Sequence, residues 1–281
     1  TLPYLPYGNN WNPSALQYIA RINENRYEFF SGEGTQVSFM VKKETVDNIT
    51  TTTFEETETS DSGYTLELIN QADGTSFSNL KLTNPNGESV YFNQNGLATE
   101  IREEEPNSDG TYDKIFIQYN QQYPFAIEQI TDGIGRKYVF EYDMQKGVLA
   151  SVKCLTADGT PIKAGTTNTD LKVTYGYDSN NNLTSVTYPD GEAVTYTYDS
   201  NGNLVKIQNI DNYNIQYTYD NANKITNIAE YTGTTTGTTT GNSIHLTQLS
   251  NRQVKVKDDF NGTETYQFGR DGRLLYTFDE K

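Results

Sequence analysis

Cysteine is almost missing from this 281-residue chain, where Cys154 stands alone. A single cysteine excludes an intrachain disulfide framework and any multi-cysteine metal site. Lys153 is its only basic neighbour in sequence, so Cys154 reads as a small buried hydrophobe rather than a reactive thiol. Histidine and tryptophan also occur once each, as His245 and Trp11. No G-x-S-x-G accompanies His245, so a nucleophilic triad has no sequence support. Basic residues are scarce, with 21 Lys and Arg against 37 Asp and Glu and a net charge of −16. That balance argues against binding a nucleic-acid backbone and suits a soluble, secreted or surface protein. There is no long apolar run, so no membrane-spanning helix is expected. Thr1-Leu2-Pro3-Tyr4 carries neither a basic start nor an apolar stretch of the signal-peptide kind. Without an initiator Met, the sequence reads as a piece of something longer.

Tyrosine and glycine are abundant, at 22 each, together with many Thr and Asn. Tyr and Thr favour strands, while Gly and Asn favour the turns between them. No convincing amphipathic helix is found, and residues 18–25 are the best candidate. The length allows one large all-β domain or two smaller ones.

The strongest signal is an echo every 21 residues: Tyr177-Asp178, Tyr198-Asp199 and Tyr219-Asp220. Tyr175, Tyr196 and Tyr217 precede each marked tyrosine by two. Leu183, Leu204 and Ile225 follow, and then Val186, Ile207 and Ile228. So short a unit cannot bury its own apolar face and must stack on its neighbours. Pro189-Asp190-Gly191-Glu192 reads as the mid-repeat turn, and Asp199-Ser200-Asn201-Gly202-Asn203 as the turn after the tyrosine–aspartate pair. Each unit is thus two strands and two turns, adding to one antiparallel sheet. The aliphatic pair after each second turn lies three residues apart, which on a flat strand would put its members on opposite faces. A bulge between them is expected, and it would curve the sheet. The tyrosines should align into ladders, and their many hydroxyls suit a half-wet face better than a dry core. If the ladder were fully buried, Tyr196→Ala would cost about 3–5 kcal/mol.

Degenerate copies are legible outside the regular three: Phe92 to Leu97, Tyr119-Asn120, Tyr142-Asp143 with Leu149 and Val152, and Phe268 to Leu274. Two regions are expected: an aromatic-rich β region over 1–87, then the repeat sheet over 88–281 with loop insertions at 156–170 and 232–243. The Thr- and Glu-rich stretch 49–63 reads as an exposed loop or frayed hairpin, and Ala72-Asp73-Gly74-Thr75 as a turn.

The pattern Y-x-Y-D-x-x-G-x-L-x-x-[IV], best seen from Tyr196 to Ile207, resembles the tyrosine–aspartate (YD or Rhs) repeat family. Two copies depart from it, with Asn181 and Asn223 where Gly is expected, and the third also has Asn212 in place of the mid-repeat Gly. The first region resembles the stretch before the repeats in bacterial wall-associated members. The resemblance implies a β-sheet ribbon that spirals into a hollow shell, as in polymorphic toxins, insecticidal toxin-complex shells and teneurins. In bacterial members the shell typically encloses a C-terminal toxin, so the partner implied here is the rest of the same polypeptide. The self-cleavage motif of many members, D-P-x-G-L, is absent from this sequence. Neither toxin activity nor self-cleavage is therefore carried over.

Four sharper possibilities stand beside plain structural roles. The Asp178 and Asp199 turns could offer oxygens to calcium, but the EF-hand order is wrong and turn chemistry accounts for them. Glu55-Glu56 and Glu103-Glu104-Glu105 could supply paired carboxylates, but both lie in polar, loop-like stretches. His245 reads as a strand or loop residue. Trp11 and its tyrosine neighbours could stack on sugars, with core packing as the plainer role. The expectation is therefore an all-β, non-catalytic scaffold without cofactor, metal or nucleic-acid partner, secreted or at the cell surface. Adhesion through cell-surface glycans is the alternative, and a glycan-degrading enzyme the second.

Overall fold

The structure is a computed structural model that describes residues 6–47, 49–57, 62–69, 76–103, 105, 107–108, 110, 113–165, 168–211, 213–232, 239–260, 262–269 and 274–279. Among these residues there is no α-helix. The expected turn at 72–75, the tract 233–238, Glu104, Asn212 and residues 270–273 of the last copy lie outside the description. The chain forms two compact units. One comprises Thr1–Tyr7, Asn12–Glu141 and Lys153–Ile162, and the other Gly8–Trp11, Tyr142–Val152 and Lys163–Lys281.

The first unit opens with a four-stranded antiparallel sheet of β1 (Gln17–Asn23), β2 (Arg26–Ser31), β3 (Gln36–Val46) and β4 (Ile49–Glu56). The helix candidate at 18–25 is corrected: most of it is β1. Its aromatic and β-branched residues pair across to β2, with Ile19 opposite Phe29 and the Tyr18 and Phe30 rings stacked at 4.8 Å. Of the two readings of 49–63, exposed loop or frayed hairpin, the first part takes the hairpin. Threonines 50–53 are β-branched, so the run pairs with β3 as β4, and the Thr45 and Thr50 hydroxyls meet at 2.9 Å.

A meander follows: β5 (Thr65–Leu68), a single 3-10 turn at Phe77–Asn79, β6 (Leu80–Thr83), β7 (Glu88–Phe92), β8 (Ala98–Glu103), β9 (Lys114–Tyr119), β10 (Ile127–Thr131) and β11 (Lys137–Asp143). Each strand pairs antiparallel with the next. Leu66, Leu82, Val90 and Ile101 oppose one another in succession and so share one face. This is a dry core: Leu80, Leu82 and Leu97 are 0% exposed, and Phe29 and Phe39 1%. Each such side chain contributes about 1.5–3 kcal/mol by leaving water. Two close contacts fasten the unit. The Ile19 N–H donates to the Gly96 carbonyl at 2.7 Å, and a Cβ on Gly96 would collide with the Ile19 carbonyl. The Ile127 N–H donates to the Tyr7 hydroxyl at 2.8 Å, and that hydroxyl donates to the Phe125 carbonyl at 3.3 Å.

In the second unit, β12 (Val148–Leu155) contributes through Val152. A small hairpin follows, β13 (Lys163–Ala164) with β14 (Thr169–Asp170). The repeats come next as β15 (Lys172–Tyr177), β16 (Leu183–Thr187), β17 (Ala193–Tyr198), β18 (Leu204–Gln208), β19 (Tyr213–Tyr219) and β20 (Ile225–Thr232). The unit ends with β21 (Thr239–Ser250), β22 (Gln253–Asp258), β23 (Thr263–Phe268) and β24 (Leu274–Asp279). From β15 to β24 each strand pairs antiparallel with the next. The insertion expected at 156–170 carries a small hairpin of its own, and the one expected at 232–243 is narrower than the sequence suggests. Residues 163–170 include the β13–β14 hairpin, and β21 already begins at Thr239.

Candidate functional site

One turn design closes the repeat hairpins. In the second copy the Asp199 N–H donates to the Asn203 carbonyl at 2.9 Å, and the Gly202 N–H to the Asp199 carbonyl at 3.1 Å. Asp199 Oδ1 accepts from the Asn201 and Asn203 N–H groups, both at 2.9 Å. Asn203 Nδ2 donates to Asp199 Oδ2 at 3.0 Å. Asp178 repeats all of this with Asn180 and Asn182, and Asp220 repeats the backbone part with Ala222 and Lys224. This is a type I turn followed by a left-handed residue, the three-residue hairpin loop. The left-handed residue is Gly202 at φ 81°, Asn181 at 63° or Asn223 at 58°. Asn tolerates that region better than other residues with a side chain, so the two departures from the repeat pattern keep its geometry.

The same turn recurs with Asn84, Asn93 and Asp132 in the Asx place, and the Asn209 and Asp258 side chains accept the corresponding pairs of N–H groups. The mid-repeat turn has the same backbone bonds, from Tyr188 to Glu192, around Gly191. The two turn classes that look distinct in sequence are one backbone module. Asp178 and Asp199 are held below the usual carboxylate range, first by the Asn182 and Asn203 side-chain donors and then by the backbone N–H groups.

A bulge follows each tyrosine–aspartate turn. Tyr177 pairs with Leu183 and Gly176 with Ser185, so Thr184 is the extra residue. Val205 and Thr226 are extra in the next two copies. The bulge puts both members of each aliphatic pair opposite tyrosines. Tyr175 faces Val186 and Tyr177 faces Leu183; Tyr196 faces Ile207 and Tyr198 faces Leu204; Tyr217 faces Ile228 and Tyr219 faces Ile225. Val194 opposite Val186 and Ile215 opposite Ile207 join the copies into one face. Its tyrosines are all half-buried. Burial raises the pKa of Tyr175, Tyr196, Tyr198 and Tyr219, with neighbouring tyrosines adding to the effect at Tyr175, Tyr196 and Tyr219.

Sequence reasoning missed what lies on this face. Residues Gly8–Trp11 form a strap across it. The Trp11 ring meets the Tyr196 ring edge-on, with centroids 5.0 Å apart, and Trp11 Nε1 donates to the Tyr198 hydroxyl at 2.9 Å. The Asn9 N–H donates to the Asn181 carbonyl at 3.0 Å. Asn9 Nδ2 donates to the Asn180 carbonyl at 2.7 Å and to Asn182 Oδ1 at 3.2 Å. A Cβ on Gly8, at φ 90°, would sit 2.8 Å from the Tyr177 ring, so the strap needs glycine there. These partners are more than 160 residues apart in sequence, and nothing local in Gly8-Asn9-Asn10-Trp11 announces them.

The other candidate groups do not assemble into a site. Among the described residues no three His, Cys, Asp or Glu side chains are grouped to hold a metal ion. Glu55 pairs with Lys42 at 3.1 Å and Glu56 accepts from the Ser62 N–H, each on its own side of β4. Glu103 and Glu105 are exposed. His245 lies in β21 opposite Asn227 and Lys257. Cys154 is buried, and burial pushes its thiol up, away from reactivity. Among the described residues no helix is long and apolar enough to cross a membrane.

Strand–turn–strand units of fixed length, each closed by an Asx-capped turn and followed by a bulge, define a tandem β-hairpin repeat protein. Residues 162–193 and 177–212 match the family model described as RHS Repeat, so this stretch carries RHS, or YD, repeats. No curated protein matches the chain. Similar solved structures include TcdB2-TccC3 without its hypervariable C-terminal region, at 11% identity and TM-score 0.45, covering 90% of this chain and 14% of that one. The Tc holotoxin pore of Photorhabdus luminescens is another, at 11% identity and TM-score 0.43, again covering 90% and 14%. A porin-like protein of Bacteroides uniformis matches at 10% identity and TM-score 0.28, covering 94% of this chain and 96% of that one. With likenesses this low, the fold rests on the chain's own strand pairing and the repeat match.

Proposed function

We propose that this chain is a non-catalytic structural scaffold. Its repeat sheet would form part of a shell that encloses or presents another segment of a larger secreted or cell-surface protein, a C-terminal effector. The observation that carries this reading is the tyrosine face, which already receives a turn of its own chain, Gly8–Trp11. A half-buried face rich in rings and hydroxyls offers both apolar area and hydrogen bonds to a polypeptide laid across it. The test is limited proteolysis of the longer parent reading frame, expressed whole. A C-terminal segment that survives until the sheet is denatured supports enclosure, and prompt digestion of that segment contradicts it.

One observation favours a second reading, adhesion through glycans. Tyr188 is 43% exposed and close enough to raise the pKa of Tyr175 and Tyr196. Three clustered tyrosines could stack on a sugar. That reading predicts a glycan-dependent rise in melting temperature that Tyr188→Ala abolishes. The scaffold reading predicts neither this shift nor glycan turnover.

A further inference from the structure

The strap binds one copy of a repeated surface, so the groups it uses should recur one copy further on. It takes the Tyr196 ring, the Tyr198 hydroxyl oxygen and the outward oxygens of the turn at 178–182. Shifted by 21 residues, the counterparts are the Tyr217 ring, the Tyr219 hydroxyl and the turn at 199–203. The chemistry carries over. The Tyr219 O–H donates to the Leu204 carbonyl at 2.7 Å, which leaves its oxygen lone pairs to accept an indole N–H. Asn203 spends its amide nitrogen on Asp199 and Asn223, so its oxygen is the acceptor that Asn182 offers to Asn9. Gly202, like Asn181, is left-handed in the same turn, so its carbonyl takes the place of the one that holds the Asn9 N–H. The third copy is also more open: Ile225 is 37% exposed, whereas its equivalent one copy back, Leu204, is half-buried.

We propose that the face around Tyr217, Tyr219 and Ile225 is a second docking register for a peptide turn, like Gly8–Trp11, that presents an asparagine two residues before a tryptophan. The occupant is a peptide segment of a partner chain, bound as the strap is bound. This deepens the scaffold reading and rests on it, because it names the kind of segment the tyrosine face accepts.

The probe is a labelled synthetic peptide of residues 6–13 (PYGNNWNP), titrated onto the full 281-residue chain and followed by fluorescence anisotropy. The expected result is saturable binding of one equivalent to the wild type, lost when the peptide's tryptophan is replaced by alanine. Binding should weaken at least tenfold in Tyr217→Ala and several-fold in Tyr219→Phe. Tyr219→Phe keeps the ring, and its circular dichroism melt reports whether the sheet is intact. Three results would overturn the proposal: no saturable binding to the wild type, binding indifferent to both tyrosine variants, or binding that appears only after Trp11→Ala. The last would mean that the strap's own register is the sole one. None of these bears on protease protection of a C-terminal segment in the parent, so failure here and failure of the scaffold reading are separable.

Discussion

The two units bury apolar residues in different ways. The first has side chains at zero exposure, such as Leu80, Leu82 and Leu97, and aromatic pairs such as Tyr27 edge-on to both Phe54 and Phe77. In the second, the repeat face leaves its tyrosines half-buried, and every residue of β24 is exposed, including Leu274, Tyr276 and Phe278. The turn modules are the same in both units, so the turns do not set the difference. What differs is the side chain placed on the inward positions. Leu and Val oppose one another in β5 to β8, whereas Tyr opposes Leu, Ile or Val in β15 to β20. An aliphatic pair gains by losing water altogether. A tyrosine pair keeps hydroxyls that need partners, and a face that stays partly wet satisfies them.

Substitutions should reproduce that contrast. Phe29→Ala in the dry core should cost about 3–5 kcal/mol, read from denaturant melts. Tyr196→Ala should cost about 2 kcal/mol, because only part of its area leaves water on folding; an equal loss at the two positions would erase the distinction. Gly202→Val should cost about 1–2 kcal/mol, since a β-branched residue must enter the left-handed region. Asn181→Gly and Asn223→Gly should fall within about 0.5 kcal/mol of wild type, because the turn already tolerates both residues.

Acid should separate the aspartate-built turns from an asparagine-built one. The folded-state pKa values of Asp178 and Asp199 are depressed, so their stabilisation is complete above the unfolded value of about 3.9 and is lost as pH falls through the folded values. The protection factors of the amides at 178–182 and 199–203, taken against the intrinsic rate at each pH, should therefore fall below about pH 4. The turn built on Asn93 carries no titrating group and should not respond, while Asp132 should behave as the other aspartates do.

Much of this was legible in the sequence because repetition amplifies weak signals. One tyrosine–aspartate pair means little, but three at a fixed spacing place strands, turns and the bulge between Leu183 and Val186. Single-copy features were harder to read. The threonines of β4 look like a polar loop until their pairing with β3 is known. The equivalence of Asn181, Gly202 and Asn223 is a backbone fact that letters alone disguise, although Asp178-x-x-x-Asn182 and Asp199-x-x-x-Asn203 carried a trace of the shared turn. The strap was invisible for a physical reason. Its bonds run from Asn9 and Trp11 to partners that only the folded sheet assembles, and a four-residue segment has no period to detect.

The most direct test of the contrast is native-state hydrogen exchange across the whole chain, resolved by strand. The account predicts that amides of β6, β7 and β10 exchange only through the slowest opening, while β19, β20 and β24 open at lower free energy. It also predicts that Trp11→Ala quickens exchange in β17 without touching β6 or β7. Uniform protection in both units, or a Trp11→Ala effect spread over the whole chain, would contradict it.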